Sequence, residues 1–133
     1  MPHAVDWSPE HRLVTCRIGG HVSGDAVCAA IDEVATRLQG EDNVVHVCWD
    51  ARGLESLSVS PAELAHIVQH MNRFTEQHPR GRTAIVATRL VDQTLAQLLV
   101  LKGPANGRGR SVFTTMDEAI AWVVNPSVPD VPR

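Results

Sequence analysis

Residues 44–64 read Val44-Val45-His46-Val47-Cys48-Trp49-Asp50, then Ala51-Arg52-Gly53-Leu54-Glu55-Ser56-Leu57-Ser58-Val59, then Ser60-Pro61-Ala62-Glu63-Leu64. Together they decide the fold class. The run from Asn43 to Trp49 is almost continuously apolar, the pattern of a strand covered on both faces, and Asp50 marks its carboxyl end. Ala51–Val59 loses the alternation and is expected to be a loop. Ser60 through Glu63 is a capping box with proline at the first helical position, so two orphan backbone donors are satisfied reciprocally. Leu64, Ile67, Val68, Met71 and Phe74 follow at helical spacing, and His78-Pro79-Arg80-Gly81 stops the helix. A buried strand feeding a capped helix is half of a parallel βαβ unit.

The same alternation extends in both directions. Upstream, Ala4–Trp7 and Arg12–Ile18 are extended segments separated by Ser8-Pro9-Glu10, with Val14, Cys16 and Ile18 on one face of the second. Gly19-Gly20 is expected to break that strand. Ser23 caps a helix running to about Gln39 on the stripe Val27, Ile31, Val34 and Leu38, with Gly40 as its C′ residue. Downstream, Thr83–Ala87 is a short strand and Leu90–Leu101 a helix with Leu95, Leu98 and Leu99 inward. Gly103–Gly109 reads as a flexible loop, Ser111–Phe113 as a strand, and Thr115–Glu118 as a second capping box opening a helix to Val124. The order β-β-α-β-α-β-α-β-α predicts an α/β fold with a mostly parallel sheet and right-handed crossovers. One domain is expected over residues 1–124, with a proline-rich tail over 125–133.

Composition narrows the function classes. The 133 residues are 44% hydrophobic and 20% charged, as in globular chains, and only 4% aromatic with no tyrosine. Aromatic platforms for stacking bases are therefore scarce, and a net charge of -3 gives no basic face, so nucleic acid is not an expected partner. No apolar run is long enough to span a bilayer, and the first residues lack a secretory leader pattern, which predicts a cytoplasmic protein. Cys16, Cys28 and Cys48 are odd in number, widely spaced and set in apolar segments, so they read as small hydrophobes.

The arrangement resembles the STAS fold of sulfate transporters and anti-anti-sigma factors, and more closely stand-alone bacterial STAS-like and CRAL/TRIO-like domains. The carriers are Gly20-His21-Val22-Ser23, Asp50-Ala51-Arg52-Gly53, Ser60-Pro61-Ala62-Glu63-Leu64, Arg82-Thr83-Ala84-Ile85-Val86, and the segment Val112 to Trp122. In the regulators of that group a serine near the start of the helix after the central strand is phosphorylated and gates partner binding. The resemblance places that role among Ser56, Ser58 and Ser60, although the Asp-Ser pairing usual there is absent.

Ligands of open α/β sheets sit beyond the carboxyl ends of the strands, where Asp50, Arg52, Thr88 and Arg89 are expected to gather. Two arginines there suit an anion, while pairing of Asp50 with Arg52 is the competing structural reading. His66 and His70 have metal-compatible spacing but no third ligand, and no nucleophile elbow or phosphate loop is present, so neither a cofactor, a metal nor an enzyme activity is expected. If all helices pack on one side of the sheet, apolar residues on the other call for a homodimer partner, an apolar ligand or the segment Ala4–Trp7 as cover. The expected function is a non-enzymatic regulatory or protein-interaction module docking through Ala51–Ser60 and the helix after it. The alternative is a small carrier or sensor for a lipid or other apolar or anionic molecule.

Overall fold

The computed structural model describes residues 3–41, 44–102 and 109–125. Strands β1 (His3–Ser8) and β2 (Leu13–Ser23) are followed by α1 (Gly24–Arg37), β3 (His46–Ser58), α2 (Pro61–Gln77), β4 (Arg82–Val86), α3 (Leu90–Leu101), β5 (Gly109–Phe113) and α4 (Met116–Val124). They build one five-stranded sheet in the order β1-β2-β3-β4-β5. β1 is antiparallel to β2, and the other neighbours are parallel. The expected element order and fold class hold.

Each parallel crossover moves the chain one strand further in the same direction, so a shared right hand puts α1, α2 and α3 on the same face. Val14, Cys16, Ile18, Val47, Trp49 and Ile85 point into that layer and meet Ile31, Val34, Ile67, Met71, Phe74 and Ala96. The intervening residues Leu13, Cys48, Ala84 and Val86 point the other way, onto Ala119 and Val123 of α4. The opposite face is therefore not left bare. α4 covers its apolar part, and toward β1 the face becomes polar: Arg17 pairs with Asp6 at 2.9 Å, one strand away from Asp50. The N-terminal segment pairs at the sheet edge as β1 and covers neither face.

The largest departure from expectation is residues 51–59. They form no loop: β3 continues to Ser58, and β2 continues through Gly19-Gly20 to Ser23, so the pair projects as a two-stranded ribbon. Two register shifts explain why the alternation disappears. Arg17 faces Asp50 but Gly19 faces Gly53, and Gly20 faces Leu54 but His21 faces Ser56, so β3 carries one extra residue at each step. A bulged strand re-aims its side chains. The residues directed at the helical layer become Trp49, Ala51, Leu54 and Leu57, a sequence without period two. Gly20 absorbs part of the distortion at φ 78°, a conformation glycine adopts without steric cost.

Smaller corrections concern helix ends and faces. α1 stops at Arg37 with Leu38 as its C-cap, and Gly40, at φ 82°, lies two residues on in the turn closed by the Glu41 N–H to Leu38 carbonyl bond. α3 has the expected bounds, but Leu98 is exposed and the buried residues are Asp92 and Ala96. Arg110 of β5 is buried, its cation disfavoured by desolvation, and donates to the Leu99 carbonyl, Asn72 and Thr75, tying α3 and α2 to the sheet edge. Of the expected Gly103–Gly109 loop, Gly109 instead begins β5, two residues before the expected strand start, while residues 103–108 and residues 126–133 of the expected 125–133 tail lie outside the described residues.

Candidate functional site

Two N-caps meet where the ribbon ends. Ser23, the last residue of β2, lies opposite Ser58 of β3, and its side chain accepts from the Ala26 N–H to start α1. Two residues past Ser58, Ser60 starts α2 with both bonds of the capping box formed: Glu63 N–H to Ser60 Oγ at 3.1 Å, and Ser60 N–H to Glu63 Oε1 at 3.0 Å. The Glu63 carboxyl is held below its ordinary value by the Ser60 backbone and side-chain hydrogen bonds and by the Gly24 N–H. One carboxylate thus closes the start of α2 and reaches the start of α1. Gly24 is what lets it: a Cβ there would stand 2.7 Å from the Glu63 Cβ.

The ribbon carries the rest of the site. The second bulge sets both Glu55 and Ser56 against His21, whose ring lies 2.6 Å from Ser56 Oγ and 3.4 Å from Glu55 Oε2. Arg89, the N-cap of α3, closes on Asp92 with a two-pronged pair at 2.7 and 2.9 Å and donates to the Glu55 carbonyl, clipping α3 onto the ribbon. Asp92 is buried, and its hydrogen bond raises the Arg89 pKa.

The expected site residues divide into separate groups. Asp50 and Arg52 pair with one another, Nε to Oδ1 and Nη2 to Oδ2 both at 2.9 Å, and Asp50 also accepts from the Arg52 N–H. Burial alone would raise the Asp50 pKa, but the Arg52 hydrogen bonds and the Arg52 and Arg17 charges outweigh it and hold the carboxyl below the usual range. Thr88 is exposed and uses its carbonyl to accept from Gln93. Both guanidiniums of the expected anion pocket are therefore occupied by carboxylates. Among the three serines, Ser56 is bonded to His21 and Ser60 caps α2, whereas Ser58 is exposed and its hydroxyl has no hydrogen-bond partner among the described residues. His70 bonds Asp32 of α1 at 2.8 Å, so the His66/His70 spacing serves a helix contact on the His70 side. No cluster of metal-ligating side chains occurs among the described residues.

Asp92 and Glu55 lay outside the expected site. Asp92 was legible as an acid three residues after Arg89 in a first helical turn. Glu55 was not, because only the bulge sets it beside His21.

Under the three-helix layer lies an apolar cavity of about 70 Å³, lined by Ile18, Val27, Trp49, Leu57, Leu95 and Leu99 among others. No described helix is long and apolar enough to cross a membrane.

Sheet order and helix placement give the chain an α/β fold like that of SpoIIAA. The fold matches an uncharacterized protein of the DUF3478 family from Shewanella loihica PV-4 with a SpoIIAA-like fold, at TM-score 0.58 and 14% identity over 91% of each chain. It also matches the anti-sigma factor antagonist SpoIIAA in its unphosphorylated form, at TM-score 0.58 and 15% identity over 87% of this chain and 91% of that one. No protein-family model matches the chain, and no curated protein matches it.

Proposed function

We propose that this chain is a non-enzymatic regulatory module that docks a protein partner on the end of the β2–β3 ribbon and the first turns of α2. The observation that carries the reading is the exposed Ser58 hydroxyl at the ribbon end, without a hydrogen-bond partner among the described residues and two residues ahead of the α2 N-cap, between side chains already committed to structure. A phosphate on Ser58 brings close to two negative charges to the ribbon end, two residues ahead of the α2 N-cap, enough to change what docks there without unfolding the domain. The SpoIIAA likeness supports this reading, since that protein is an anti-sigma factor antagonist with an unphosphorylated form. Three buried free thiols support a reducing, cytoplasmic setting. Residues 1–124 act as the unit.

The test is quantitative affinity capture from host lysate with wild type, Ser58→Glu and a Ser56/Ser58/Ser60 triple alanine variant, each checked for an unchanged fold. A protein captured by wild type and lost from Ser58→Glu supports the reading. Unchanged capture by all three removes the serine switch.

The second reading, a carrier for a small apolar molecule, rests on the cavity. At about 70 Å³ it falls well short of the ~300 Å³ at which ligand pockets begin, so a lipid does not fit without displacement of α3. An anionic ligand is less favoured still, because Arg52 and Arg89 already hold Asp50 and Asp92.

A further inference from the structure

The second bulge of β3 brings together three side chains that an unbroken strand would hold apart. Successive residues of a strand point to opposite faces, so Glu55 and Ser56 would ordinarily project from two sides of the ribbon. Here Gly20 faces Leu54 and His21 faces Ser56, and the extra residue lets Glu55 and Ser56 both reach the His21 ring. Ser56 Oγ lies 2.6 Å from Nδ1, and Glu55 Oε2 lies 3.4 Å from Nε2. In a neutral imidazole one nitrogen carries the proton and the other a lone pair. A carboxylate only accepts, so Glu55 holds the proton on Nε2 and leaves the Nδ1 lone pair to accept from the Ser56 hydroxyl. Hydroxyl, imidazole and carboxylate then stand in the order that activates a serine, with the hydroxyl within reach of proton transfer.

We infer that Ser56 is a nucleophile that takes an acyl group from a small activated carboxylic ester or thioester, with His21 as its base and Glu55 as the positioning residue. In that step the Ser56 proton passes to His21 Nδ1 as Oγ bonds to the carbonyl carbon of the donor. The bond to the leaving alkoxide or thiolate then breaks, His21 returns the proton to the leaving group, and Ser56 is left as an ester. Two features favour an acyl donor over a phosphoryl donor. The Glu55 carboxylate stands beside the reacting hydroxyl and repels a polyanion, whereas a neutral ester approaches without penalty. Arg89, which reaches the Glu55 carbonyl, is already held by Asp92 and offers no clamp for a phosphate. The side chains of His21 and Glu55 are 76% and 69% exposed, so a small donor meets the hydroxyl directly from solvent. Bulges are favoured beside reactive groups because they re-aim side chains in this way. The inference goes beyond the docking surface proposed above: Ser58 gates that surface, while Ser56 is the reactive group here, modified once per chain rather than turned over.

Reaction of the full chain with p-nitrophenyl acetate, followed by p-nitrophenolate release and by mass spectrometry of its peptides, tests this. Few other nucleophiles compete, since the three thiols are buried and Lys102 is the single lysine. The expected product carries one acetyl group on Ser56. Ser58 lies on the same strand with no histidine bonded to it among the described residues, so it should react at least about a hundredfold more slowly. That ratio is read on the wild type and needs no variant. His21→Gln lowers the Ser56 rate by at least about a hundredfold. Glu55→Gln keeps the side-chain shape but can donate to Nε2, which turns the Nδ1 proton toward Ser56 and lowers the rate by about tenfold or more. Both substitutions fall on exposed ribbon side chains, and an unchanged denaturation midpoint separates lost activation from a damaged fold. The inference is overturned if Ser56 stays unlabelled, if Ser58 or Lys102 takes the acetyl group as fast as Ser56, or if either variant reacts as fast as wild type. None of these results bears on the Ser58→Glu capture experiment, so the two readings fail separately.

Discussion

Arg52 reaches back along β3 to the buried Asp50 carboxylate, and Arg52→Ala removes its hydrogen-bonded guanidinium, leaving only the more distant Arg17 charge. Half of the guanidinium is open to water, so screening puts the cost at the low end of the range for a lost charged partner, about 1 kcal/mol. The pH dependence has a definite sign. Asp50 is held below its unfolded pKa in the wild type, so the pair's contribution is fully present above about pH 4 and is lost as pH falls through the folded value. Denaturation midpoints of wild type and Arg52→Ala should differ at neutral pH and converge in acid. A gap that stays constant to low pH contradicts the assignment. The thiols give a second residue-level prediction. Burial, the largest cause, pushes Cys16 and Cys48 up to about 12 and raises Cys28 as well. At mildly alkaline pH a thiol reagent should label the native protein slowly and all three cysteines promptly after denaturation.

At the junction of α1 and α2, Gly24 gives way to the Glu63 side chain that closes the capping box. Gly24→Ala should therefore displace Glu63 and destabilise the fold by about 1–3 kcal/mol as an overpacked contact. The same substitution in a Glu63→Ala background should cost distinctly less, since the clashing group is gone. Equal costs in both backgrounds would show that the contact does not couple the two helices. Arg89 clips α3 to the ribbon through Asp92 and the Glu55 carbonyl, so Arg89→Ala should speed amide exchange in the first turns of α3 while the centre of the sheet keeps its protection. Elements also mark what could be read from sequence. Both capping sites were legible, since Ser60 and Thr115 each cap a helix through the N–H of the glutamate three residues on. The ribbon was not. Its bulges at Asp50–Gly53 and Leu54–Ser56 depend on pairing with β2, and a bulge removes the periodicity from which a strand is recognised. Leu98 misled for a related reason: a leucine-rich helix does not reveal which side it buries.

For the whole molecule, the strand order follows from consecutive βαβ units, and that much was present in the alternation of apolar runs and helix caps. Where α4 lies was not, because it follows the last strand and is constrained by no crossover. The expected edge site was legible in its residue types and in the competing Asp50–Arg52 pairing, which the structure forms, whereas the pairing of Arg89 with Asp92 was not part of the expectation; together the two pairs use up the charges that an anion would have met. What remains outward at that end is Ser58, the bulged ribbon and the start of α2. Docking of a partner at that end is tested most directly by hydrogen exchange on the protein alone and bound to the partner that wild type captures and Ser58→Glu loses. Slowed exchange is expected over Ala51–Ser60 and the first two turns of α2 alone, with α4 unchanged. Protection that falls on α4 or the β1 edge, with the ribbon end exchanging as it does in the free protein, would contradict it.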